Sequence, residues 1–65
     1  MLIEGIVLRS GRTKKGKFVT TIFDNGTVCL VMTDDPVNVG IGEEVSIPVR
    51  AARSKDGGDP FFFGV

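Results

Sequence analysis

Histidine, tryptophan and tyrosine are absent from this 65-residue sequence, and there is a single cysteine, Cys29. Without His, a lone thiol in a β-branched run has no base partner for nucleophilic catalysis. One Cys and no His cannot build a tetrahedral zinc site, and one Cys cannot close a disulfide within the chain. No enzyme and no cofactor are expected, and Cys29 reads as a small buried hydrophobe. A long apolar run is also missing. Nothing approaches the roughly 20 residues that a membrane-spanning helix needs. Met1–Leu8 is broken by Glu4 and Gly5. The expectation is therefore no membrane association, no signal peptide, and a reducing, cytoplasmic setting, that of a bacterial host if the chain is phage-encoded. Net charge is missing too, with eight Lys and Arg against eight Asp and Glu. Only the distribution of charge along the chain can then speak to partners.

What is present is centred on residues 17–33, where two apolar, β-branched runs flank Asn25-Gly26. Asn-Gly is the strongest short hairpin signal, because a type I′ turn needs φ > 0 at both central residues. The turn sets the register: Asp24 opposes Thr27, Phe23 Val28, Thr21 Leu30, and Val19 Met32. One face then carries Val19, Thr21, Phe23, Val28, Leu30 and Met32, and is expected to be the core. The other carries Phe18, Thr20, Ile22, Cys29, Val31 and Thr33. It is apolar enough to touch a partner and hydroxylated enough to meet water, and is expected to bind something.

Residues 2–9 read as a strand, with Gly5 marking a bulge or strong coiling. Residues 10–16 read as a polar loop. Residues 34–44 hold too many Gly and β-branched residues for a useful helix. Residues 45–52 read as a fourth strand, edge or bulged at Pro48. Asp56-Gly57-Gly58-Asp59 reads as a second hairpin turn, and 60–65 as a fifth strand. Asp34-Asp35 before Pro36 reads as a solvated turn rather than a metal site. The expected fold is a single all-β domain over residues 1–65, a small five-stranded antiparallel barrel. An OB-fold lacking the usual helix between strands three and four fits best, and an SH3-like barrel is the alternative. So small a core points to a homodimer or larger assembly for added stability.

The cations fall in two groups. Arg9, Arg12, Lys14, Lys15 and Lys17 lie on the first loop and its stems, and Arg50, Arg53 and Lys55 on the arm of the last hairpin. No acid falls between Arg9 and Lys17. In an OB barrel these two loops flank the binding face, so a neutral chain would still present a positive groove. Such a groove suits a phosphate backbone. Single-stranded bases also need aromatic platforms. Phe18 at the base of the basic loop is one candidate. A turn centred on Gly57-Gly58 would set Phe62 opposite Arg53 and Phe63 opposite Ala52. Phe62 would then be exposed beside a guanidinium, with Phe61 and Phe63 in the core or a dimer interface. The expected site is Arg9, Arg12, Lys14, Lys15, Lys17, Phe18, Arg50, Arg53, Lys55 and Phe62. The alternative is a small β-barrel that serves protein interaction or assembly through the Phe61–Phe63 strand.

Arg9-Ser10-Gly11-Arg12-Thr13-Lys14-Lys15-Gly16-Lys17 resembles the DNA-binding loop of the filamentous-phage single-stranded DNA-binding proteins. In that loop Arg-Ser-Gly is followed by a basic residue and Gly-Lys before an aromatic. Arg9, Lys14 and Lys17 match its basic positions, and Gly11 and Gly16 its glycines. The resemblance implies a dimeric OB-type barrel that coats single-stranded DNA during phage replication, DNA rather than RNA. Where the family has a tyrosine after Gly-Lys, Lys17 is followed here by Phe18 and Val19, and residues 54–59 lack the aromatic of its late hairpin.

Overall fold

The structure, a computed structural model, describes residues 1–50 and 61–65. Five strands form: β1 (Leu2–Arg12), β2 (Phe18–Asp24), β3 (Thr27–Thr33), β4 (Glu44–Arg50) and β5 (Phe61–Gly64). They close into a barrel in the order β1-β2-β3-β5-β4. All neighbours are antiparallel except β3 and β5, which run parallel. That parallel closing contact, with β1 shared between β2 and β4, makes this the OB type of barrel rather than the SH3-like one. No helix occurs among the described residues, so none there could cross a membrane. In the segment between β3 and β4, Val37 packs against the core. Gly42, with φ of 88°, donates its N–H to Val7 O at 2.7 Å and ties that segment to β1.

The central hairpin has the register its turn demands, from Asp24↔Thr27 to Phe18↔Thr33. Asn25 and Gly26 have φ of 46° and 90°, both in the left-handed region a type I′ turn requires. The two faces, however, are the reverse of expectation. Thr20, Ile22, Cys29 and Val31 are buried. Val19, Thr21, Phe23, Val28, Leu30 and Met32 lie on the outer wall, none of them buried. The reason is the bore of the barrel. Ile3, Val7, Ile22, Cys29, Val31, Ile47 and Val49 fill it, every one compact or β-branched. A five-stranded barrel is narrow, and its fully buried lining is made of such side chains, with the half-buried Phe62 packed against them. On β2 and β3, Phe23, Leu30 and Met32 go outside.

β1 carries two further departures. It stays paired to β2 through Arg12, so residues 10–12 are strand rather than loop. Its register also slips between Val7 and Arg9, leaving a bulge at Leu8 rather than at Gly5. The extra residue re-aims the side chains beyond it. Val7 opposes the buried Ile22, while Arg9 opposes the outward Thr21. Gly5 serves close approach instead: a Cβ there would lie 2.1 Å from Phe23 O. Pro48 sits inside β4, opposite Leu2, rather than on an edge. Its carbonyl accepts from Val65 N at 3.0 Å, where the pairing to β5 runs out, so the missing Pro N–H breaks no continuing ladder.

Candidate nucleic-acid interface

Strand register assembles the outer wall from separate stretches of chain. Gly11, Val19, Met32, Phe63 and Arg50 are successive partners across β1, β2, β3, β5 and β4. Arg9, Thr21, Leu30 and Phe61 form the next row, and Ile6, Phe23 and Val28 a third. The wall is thus an apolar, partly aromatic surface with a guanidinium at each side. Phe23 and Phe63 are 43% and 40% exposed. Phe61 meets Phe63 edge to face, ring centroids 5.4 Å apart. The Arg50 guanidinium lies over Phe63 at 5.8 Å from the centroid, a cation–π contact.

The link between β1 and β2 is a tight turn. Thr13 N donates to Lys17 O at 2.8 Å, and Gly16 N to Thr13 O at 3.2 Å. Gly16, with φ of 84°, occupies the left-handed position that ends a three-residue hairpin loop. Lys14 and Lys15 stand exposed at its tip. Arg12 and Phe18 are cross-strand partners, and the guanidinium covers the half-buried ring at 5.3 Å from its centroid.

Lys17 forms an ion pair with Asp34, just past the end of β3. The Lys17 ammonium, by hydrogen bond and by charge, holds the Asp34 carboxyl below its ordinary value. Both groups line a cleft of about 250 Å³ together with Met32, Thr33, Arg50 and Phe63. The first basic loop and the end of β4 therefore meet, as an OB arrangement requires. At another part of the barrel a second cleft collects Glu4, Asp24 and Glu44, with no described cation in its wall.

Of the expected site residues, Arg9, Arg12, Lys14, Lys15, Lys17, Phe18 and Arg50 lie on the β1–β2 arm or beside the outer wall. Arg53, Lys55 and the turn at 56–59 fall outside the described residues. Phe62 is a correction: it packs against the core. Phe61 and Phe63 take the outer side instead, because Phe62 is the neighbour of the buried Val31. Phe63 opposes Arg50 rather than Ala52. Sequence reasoning misses Phe23, Phe61 and Phe63 as aromatics of the outer wall. For Phe23 the usable signal is shape: of the two alternating faces of β2 and β3, the one with the more compact side chains lines the small barrel. No family model, curated protein or solved structure matches this chain.

Proposed function

We propose that this barrel binds single-stranded nucleic acid across the outer wall of β2, β3 and β5. The observation that carries this reading is the pair of rows Val19–Met32–Phe63–Arg50 and Arg9–Thr21–Leu30–Phe61. They put the half-buried Phe61 and the exposed Phe63 between guanidiniums, and the Lys14-Lys15 tip extends the positive side. Bases stack on Phe63, and the cations take phosphates, with no fixed sequence code. The Arg9–Lys17 resemblance favours DNA, phage replication and a homodimer. Anisotropy of labelled oligo-dT and oligo-U, titrated at several salt concentrations, tests it. Three to five phosphate contacts would give a log–log slope of roughly −2 to −3.5. Absence of binding to both at low salt would refute the reading.

A second reading draws on Val19, Val28, Leu30 and Met32, which share the same wall with the rings. So apolar a patch also suits a protein surface, and a second copy of the chain would bury it. Light scattering at high micromolar concentration tests this directly. A concentration-dependent dimer lost on Leu30→Asp, with no oligonucleotide binding, would establish assembly as the function.

A further inference from the structure

Asp34 sets a carboxylate in the cleft that the proposed reading gives to phosphate. Its neighbours there include Lys17 and Arg50, and a carboxylate among them repels the very backbone those cations attract. Its position is nonetheless held. Lys17 Nζ donates to Oδ1, and the Thr33 hydroxyl donates to Asp35 O at 2.7 Å, which fixes the turn leaving β3. The second oxygen, Oδ2, has no partner among the described residues. Phe63, 40% exposed, lines the same cleft, with the Arg50 guanidinium over its ring.

We infer that Asp34 selects, at the Phe63 stacking position, bases that carry an exocyclic amino group over thymine and uracil. A carboxylate only accepts hydrogen bonds. Cytosine offers N4–H₂ and adenine N6–H₂, whereas thymine and uracil present the O4 acceptor at the equivalent edge. A base stacked on Phe63 and turned toward Asp34 therefore meets an acceptor that rewards an amino group and repels a carbonyl. The inference rests on the nucleic-acid reading above and adds a base preference to it.

The test is anisotropy with labelled oligo-dC and oligo-dT of equal length, at low salt and slightly alkaline pH, on wild type, Asp34→Ala and Asp35→Ala. Wild type is expected to favour oligo-dC by about three- to tenfold, the worth of one hydrogen bond in contact with water. Asp34→Ala should bring that ratio to about one and tighten oligo-dT, because Lys17 is released to a phosphate. The salt slope should steepen by about 0.7 in the same variant. Asp35→Ala should keep the wild-type ratio. The Asp34 side chain is 79% exposed, so melting temperature should not move. A wild-type ratio near one, or a preference that survives Asp34→Ala, overturns the inference and leaves nucleic-acid binding standing. Failure of wild type to bind either strand overturns both.

Discussion

The two faces of the β2–β3 hairpin have nearly the same hydrophobicity and opposite fates. One presents Thr20, Ile22, Cys29 and Val31 to the bore, and the other presents Val19, Thr21, Phe23, Val28, Leu30 and Met32 to the outside. Polarity does not separate them: the interior face contains a threonine, and the exterior one contains the only phenylalanine of the two strands' central positions. Shape separates them. Branching at Cβ keeps a side chain short and stiff, which suits a narrow barrel, while Phe, Leu and Met reach too far. The outside is therefore left with more apolar area than the interior lining needs, and that excess is available to a ligand or partner.

The largest effect should come from breaking the inner face. Ile22 is fully buried, and Ile22→Ala should cost about 2–5 kcal/mol, enough to unfold much of so small a domain. Leu30→Ala, on the outer wall one strand away, should cost well under half as much. Urea denaturation of the pair measures the asymmetry, and equal losses would mean that the two faces are not what the register makes them. Next is Cys29→Ser, which sets a hydroxyl among Ile and Val side chains. A loss of about 1–3 kcal/mol is expected, with oligonucleotide affinity of the folded protein unchanged.

Phe63→Ala probes the outer face alone. It should weaken oligonucleotide binding by about 1–3 kcal/mol with an unchanged salt slope, since stacking releases few counterions. Lys14→Ala with Lys15→Ala should instead flatten the slope by about one and leave stability within about 0.5 kcal/mol. If both variants shift the slope alike, rings and cations do not play separate parts. The smallest effect has the opposite sign. Thr20 is 1% exposed and its Oγ1 has no partner among the described residues. Thr20→Val keeps the shape and removes an unmet hydroxyl, and should raise stability by about 1 kcal/mol. A destabilised Thr20→Val would indicate that the hydroxyl is satisfied in solution.

Local chemistry was enough for a good part of this molecule. Asn25-Gly26 set the hairpin and its register to the residue, because the turn conformation admits few residue types and pairing then follows by counting. Alternation sorted side chains correctly into two sets along β2 and β3, and Gly and β-branched residues at 34–44 correctly excluded a helix there. The clustering of cations near Arg9–Lys17 and Arg50 was equally plain. Closure of the barrel decided the rest. Alternation has no sign, so only the contacts Val7↔Ile22 and Ile3↔Ile47 establish which set points in. Arg9 faces outward because of a bulge at Leu8 that no turn residue announces. Phe62 and Phe63 exchanged places for a related reason. The short β5 takes its register from the parallel contact with β3, a pairing between strands about thirty residues apart that no local signal encodes. The chemistry of each strand is written in its own residues. Which side of it meets the rest of the molecule depends on how five strands share one narrow interior.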